Sequence, residues 1–434
     1  VRYTNKEYKK RLYGRFLYIR KRKRDMTFAE KQKQYADILV TLGVNVQSGQ
    51  ELVIRCDTAA APFARIVTAA AYTAGAREVI VHFRDDKISR MRYEYAPTDV
   101  FTSVPEWESE GMNYYAARGA AFLSIVSEDP EAFKGVDPQK LAARNVAADE
   151  AFRPYYERMD KNELQWCVAA AASPEWARKV FPDRSEESAV AALWEAIFRA
   201  VRIGGNVQEK WTEHGESLKK RCAFLNEKQF KKLRYQNGLG TDFTVGLVEN
   251  HIWTGGAEQT KTGVTFFANM PTEEVFTMPH CEQAEGVLKS SLPLSYQGSV
   301  IRNFTLRFHD GKVVEYHAEE GEETLKMILE ADDGSRRLGE IALVPYNSPI
   351  SQSGILFLQT LFDENAACHF ALGQCYPNTM RNGEKLNRED LRAIGGNYAI
   401  NHVDFMVGTA DLSITGINAS GDETLIFENG GWAV

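Results

Sequence analysis

Cysteine is sparse and unpatterned in this chain. Cys56, Cys167, Cys222, Cys281, Cys368 and Cys375 are scattered without CxxC spacing. That removes the thiolate frameworks of structural zinc and of dithiol redox sites. In a chain of 434 residues it points to reduced core thiols in a cytoplasmic protein. Long hydrophobic runs are missing too: no stretch approaches the roughly 18 continuous apolar residues of a membrane span. Neither GxGxxG nor GxxxxGK[ST] occurs, so nucleotide binding has no support. There is no internal repeat and no low-complexity linker. Histidine is scarce, eight residues in all.

What is present is ordinary in bulk and uneven in detail. At 434 residues, 44% hydrophobic and 26% charged, the chain reads as a globular protein of two domains. Its net charge of −7 hides an asymmetry. Residues 1–25 carry eleven Lys/Arg against Glu7 and Asp25, so that segment is +9 and the remainder −16. An acidic body argues against nucleic acid as a partner and suits cationic groups such as free amino termini. The basic leader lacks the apolar core of a signal peptide. Because MTFAEKQKQYADILVTLG opens a regular amphipathic helix at Met26, residues 1–25 read as an extension outside the fold.

Hydrophobic periodicity places a helix over 27–43, strands at ELVIRC and REVIVHF, and the small-residue helix APFARIVTAAAYTAG between them. This is a βαβ unit and implies parallel pairing. AAFLSIVS (120–127) and ELQWCVAAAA (163–172) read as further buried strands, and LWEAIFRAVRI (193–203) as a helix. Residues 26–228 are therefore expected to form an open α/β domain. From about 228 onward strands alternate with turn signals, including Asn237-Gly238, Asp310-Gly311 and Asn382-Gly383, with a helix expected at 319–331. Residues 229–434 are expected to form a β-rich α+β catalytic domain. The fold class is α/β.

The chemistry-bearing residues gather in that second half. Carboxylates are rarely buried unless paired or coordinating a metal, yet several sit here in apolar segments. His402-x-Asp404, in YAINHVDFMVG, puts an imidazole and a carboxylate on one side of a strand; a structural His–Asp hydrogen bond fits the same spacing. Glu340 opens EIALVP at a strand mouth, which also suits an exposed strand-end acid. Glu364 and His369, five apart, would diverge by about 140° on a helix, but a short turn at 363–367 feeding a strand brings them together. The bland account is a helix-start acid beside a core histidine. Extended structure sends Glu273 and Glu274 to opposite faces, one toward metal and one toward substrate, unless both are solvated. Together Glu274, Glu340, Glu364 and Asp404 supply four negative charges, which two divalent cations neutralise. Such a carboxylate-rich site suits paired Zn²⁺, Co²⁺ or Mn²⁺. Tyr376 would donate a hydrogen bond to the developing oxyanion. The other histidines (82, 214, 251, 280, 309 and 317) lack acid neighbours in apolar context. Cys368, Cys375, Trp166, Trp176 and Trp194 read as core or interface residues.

NMPTEEVFTMP, RRLGEIALVPYNSPI, LFLQTLFDENAACHFALGQCY and NHVDFMVG resemble the thermophilic-type metallo-aminopeptidase family, that of aminopeptidases T and S and bacterial aminopeptidase II. The likeness extends weakly through the first half from Met26. The resemblance implies that Glu274, Glu340, Glu364, His369, His402 and Asp404 ligate two metal ions with Glu340 bridging, and that Tyr376 is the active-site tyrosine. It further implies a closed homodimer with an internal cavity, removing N-terminal residues from short peptides. Glu273 is the nearest acid that this ligand pattern leaves unused, so it is expected as general base, or else as an anchor for the substrate's amino group. Two other readings stand beside this one: an amidohydrolase using the same metals on a non-peptide substrate, and an inactive metal- or peptide-binding protein. Retention of all six ligands and Tyr376 argues against the second.

Overall fold

The computed structural model describes residues 25–434. Residues 1–24, nearly all of the basic segment read as an extension, lie outside the described residues. The first helix, Phe28–Ile38, starts where the sequence signals it. The Thr27 side chain accepts from the Glu30 N–H, and the Glu30 carboxylate takes the Thr27 N–H at 2.7 Å, satisfying donors that a helix start leaves orphaned. It runs on as a π turn over Leu39–Gly43. Gly43 is needed there: an added Cβ would lie 3.0 Å from Cys167 Sγ on a neighbouring strand.

The expected βαβ unit is present as β1 (Glu51–Asp57), the helix Ala61–Thr73 and β2 (Glu78–Arg84), joined by β3 (Ala121–Val126) and β4 (Trp166–Ala170). All pairs are parallel, in the order β2–β1–β3–β4. Both faces of β1 and β3 are covered by helices, which is why their sequences are continuous apolar runs rather than alternations. The helix expected at 193–203 occupies Glu186–Ala200. After it the helix Val207–Lys228 leads to the β-rich half, which starts with the strand Lys232–Gln236.

In that half a nine-stranded antiparallel sheet backs a four-stranded one made of β5 (Val275–Thr277), β6 (Leu338–Leu343), β7 (His369–Gly373) and β8 (His402–Met406), in the order β8–β7–β6–β5. Period-two alternation gives these strands two jobs. Phe370 and Phe405 point into the core, where Phe370 packs on Tyr235 and Phe243 and Phe405 on Phe304, with ring centroids 5.0, 5.4 and 5.7 Å apart. Burying each such side chain contributes about 1.5–3 kcal/mol. The alternate positions, His369, Ala371, His402 and Asp404, take the other face. The helix expected over 319–331 is shorter: strand structure persists to Glu320, Gly321 turns the chain at φ +81°, and the helix spans Glu322–Leu329.

The halves interlock. The Val168 N–H of β4 donates to the Ala268 carbonyl at 2.7 Å and the Val168 carbonyl accepts from Met270 N–H at 2.9 Å, so segment 268–270 extends the edge of the parallel sheet. Phe357, Leu361, Phe362 and Ala366 pack into the core of the first half. The indole N–H of Trp176 donates to the Phe357 carbonyl at 2.6 Å. Residues leading to Glu274 and to Glu364 are thereby anchored on the first half before they reach the second.

Candidate metal centre

Register across the four-stranded sheet assembles the site. Glu340 on β6 lies opposite Ala371 on β7, and Ala371 lies opposite Asp404 on β8. The two acids thus flank a residue with almost no side chain, and their carboxylates converge over it. His402, two before Asp404, faces Gly373. That glycine has φ +102°, and an added Cβ would sit 2.1 Å from the Asn401 carbonyl oxygen. His369 opens β7 on the same face. Glu274 precedes β5 and reaches in from the far side.

The distances follow from that register. His369 Nε2 is 3.1 Å from Glu274 and 3.7 Å from Glu340, and His402 Nε2 is 3.7 Å from Glu340 and 3.3 Å from Asp404. These residues fall into two groups, Glu274–Glu340–His369 and Glu340–His402–Asp404. Within each group one candidate ligand atom per residue lies within 4.8 Å of the others, and Glu340 is common to both. Both imidazoles are oriented from behind. His369 Nδ1 is 3.1 Å from the Ala367 carbonyl and His402 Nδ1 is 2.7 Å from the Gln374 carbonyl. A carbonyl only accepts, so each Nδ1 carries the proton and each Nε2 is turned toward the carboxylates.

Electrostatics ask for a cation here. Burial pushes the Glu340 carboxyl above its ordinary range; the His369 hydrogen bond and His402 oppose this, while Asp404 and Glu274 add to it. Glu364 is pushed well above its range by burial, then by Glu274 and Asp404. Burial would lower His402, yet Asp404 beside it lifts it to about 9. Burial would likewise raise Asp404, but His402 overcomes this and holds it below the usual carboxylate range. The residues present therefore fit divalent cations on this structure's own terms: oxygen and imidazole donors, crowded carboxylates, and imidazoles preset with Nε2 forward.

Glu274, Glu340, Glu364, His402 and Asp404 line a cavity of about 340 Å³. Among the described residues its lining holds six carboxylates (Asp160, Glu258, Glu274, Glu340, Glu364 and Asp404) and no Lys or Arg. Tyr376 is in the same wall, 36% exposed, with its ring centroid 4.6 Å from that of His402. Beside the carboxylates of Glu340 and Asp404 its phenol stays protonated and a donor.

Several expectations are corrected by these positions. Glu340 is not a strand-end acid. It lies inside a strand buried along its whole length, because β6 is paired on both sides, by β5 and β7. Glu364 follows a short helical turn, as expected, and lines the cavity together with Glu274, Glu340 and Asp404. The helix-start acid is Asp363, whose carboxylate accepts from the Phe357 and Gln359 N–H groups and leaves Glu364 to the cavity. Glu273, expected as base or amine anchor, is not in the cavity lining. Its carboxylate faces Arg202 at 2.7 Å, on the opposite side of the chain from Glu274. Trp176 and Trp194 are core residues, but Trp166 lines the cavity. His214 does have an acid nearby, Glu273 at 3.7 Å, and His309 sits in an exposed cluster with Glu285 and Asp310. Arg202, Asn365 and the cavity residues of the first half carried no signal in the linear sequence, since their partners lie far away along it.

The chain is similar to known proteins over nearly its whole length. The profile of the thermophilic metalloprotease family (M29) matches residues 28–432. The chain is 45% identical over 408 residues to aminopeptidase AmpS of Bacillus subtilis, covering 94% of this chain and 99% of that protein. It is 44% identical over 401 residues to aminopeptidase 2 of Geobacillus stearothermophilus, covering 92% and 97%. The solved structure of wild-type AmpT from Thermus thermophilus superposes with a TM-score of 0.88 at 39% identity, covering 94% of this chain and all of that one.

Proposed function

This chain belongs to the thermophilic metalloprotease (M29) family, and we propose that it is a metal-dependent aminopeptidase that removes N-terminal residues from short peptides. The observation that carries the reading is the pair of three-ligand groups sharing Glu340 beside an acidic cavity. Relatives covering nearly the whole chain are named aminopeptidases, which supports it. Glu274, Glu340 and His369 would hold one divalent ion and Glu340, His402 and Asp404 a second; Zn²⁺, Co²⁺ and Mn²⁺ all accept this donor set. Bound there, such ions would supply Lewis acidity for the scissile carbonyl and for activation of the attacking water. The direct test is release of free amino acids from di- to hexapeptides, lost on exhaustive chelation and restored by added divalent ion. Activity that persists through chelation overturns the proposal.

The chain's own residues supply the rest. Glu364 lines the cavity beside both groups, where its carboxylate would either complete the ligand set, as the sequence resemblance implies, or take a proton from the attacking water and return it to the leaving amine nitrogen. Glu364→Gln is expected to lower kcat by about 10²–10⁴-fold; retained metal marks Glu364 as the base, and lost metal marks it as a ligand. A collapse of kcat in Glu273→Gln, with full metal and normal KM, would return the base role to Glu273. Tyr376 faces the same space and donates its O–H to the oxygen that gains charge. Tyr376→Phe should lower kcat by about 10²–10³-fold at unchanged metal content. Loss of metal would make Tyr376 a ligand or a support instead.

The same reading takes the protein as a cytoplasmic homodimer. Its cysteines are free, and no helix among the described residues is long and apolar enough to cross a membrane. A single-chain mass by light scattering would reject the dimer.

A further inference from the structure

Behind the cavity wall a buried ion pair joins the two halves of the chain. Arg202 lies just past the helix Glu186–Ala200, in a left-handed conformation at φ +61°, with its side chain only 14% exposed. Its Nη2 is 2.7 and 2.8 Å from the two carboxylate oxygens of Glu273, and it donates to His214 Nδ1 at 3.1 Å. His214 Nε2–H donates to the Thr272 carbonyl at 2.7 Å, which leaves Nδ1 free to accept. The guanidinium also lies over the Trp211 ring, 5.5 Å from its centroid. Side chain and backbone of residues 272–273 are thus clamped from the first half.

The clamp continues into the site by two routes. Glu274 follows directly, on the opposite face, reaching His369. The Glu273 N–H donates at 2.6 Å to Asn365 Oδ1, and the buried Asn365 Nδ2 donates to the Leu361 carbonyl at 2.9 Å and to Glu364 Oε1 at 3.3 Å. His402 and Asp404 are not on this path. They are set by the pairing of β8 with β7 and by the Gln374 carbonyl.

We propose that Arg202 is a positioning residue for the metal centre, fixing Glu274 and Glu364 through Glu273, His214 and Asn365, so that it governs one of the two ion sites and not the other. This rests on the metal-binding reading above. An unpaired Glu273 carboxylate in this buried place would draw segment 272–274 toward solvent, and the loss would fall on the Glu274–Glu340–His369 group.

The test titrates Co²⁺ into metal-stripped full-length protein, read by visible absorption against a competing chelator. Wild type should take two ions. In Arg202→Met the affinity for one should fall by about 10–100-fold, the usual scale for losing a residue that orients a ligand, with the other unchanged. Arg202→Lys keeps a charge near Glu273 but cannot also serve His214, and should fall between the two with a melting temperature close to wild type. If Arg202→Met does not fold, the lysine variant decides. Two unchanged affinities, or equal weakening of both, overturn the proposal. Wild type taking up no cobalt would sink the metal reading first, and this inference with it.

Discussion

Glu340→Gln is expected to abolish hydrolysis while leaving the protein folded. Glu340 is the one residue common to both three-ligand groups, so its loss removes a donor from each at once. Divalent ions contribute several kcal/mol to charge stabilisation in such reactions, and each 1.36 kcal/mol is tenfold, so the rate should fall by at least about 10³-fold. Stability should move the other way in the metal-free protein. Glu340 is buried, and burial together with Asp404 and Glu274 pushes its carboxyl up despite the His369 hydrogen bond. An acid whose pKa is raised on folding is destabilising when ionised, and a neutral amide of the same shape relieves that. Metal-free Glu340→Gln should therefore melt no lower than metal-free wild type. A large drop in melting temperature would mean that Glu340 serves the fold instead.

N-acetylation of a good peptide substrate should cut kcat/KM by orders of magnitude. Among the described residues the cavity lining has no Lys or Arg, and its carboxylates Asp160 and Glu258 lie outside the metal groups, so a free α-amino group is the complementary charge. Blocking it leaves buried acids unpaired. Sites built around one polar substrate group reject analogues lacking it by about 10⁴–10⁵-fold. The comparison is a ladder of peptides of increasing length, each free and acetylated. Rates should also fall as peptides outgrow a cavity of about 340 Å³. Equal cleavage of acetylated peptides would reject the aminopeptidase reading and favour an amidase or endopeptidase on the same residues.

Local pattern carried much of this site, and it failed where long-range pairing decides. His402 and Asp404 are two apart on β8, and strand period alone puts them on one face. The turn between Glu364 and His369 was legible because five residues of helix would have separated them. Glu340 was read as a strand end because only the preceding Gly339 is visible locally; that β6 is covered on both sides by β5 and β7 is a fact of pairing, not of composition. Alternation said that Glu273 and Glu274 diverge but not what waits on each side, and Arg202 is 71 positions away. The parallel sheet was legible for the complementary reason, since continuous apolar strands and a small-residue helix are local signatures. The cavity residues Asp160 and Trp166 were not, because they meet the metal groups only through the interlocking of the two halves.

The central claim is that one shared carboxylate organises two ion sites, and counting ions against activity tests it most directly. Metal-stripped protein is titrated with Zn²⁺, Co²⁺ or Mn²⁺ while bound ions per chain and peptide hydrolysis are followed together. The account predicts that full activity returns only at two ions per chain and that Glu340→Gln reaches neither the occupancy nor the rate. Full activity at one ion per chain, or undiminished activity with none, would contradict it.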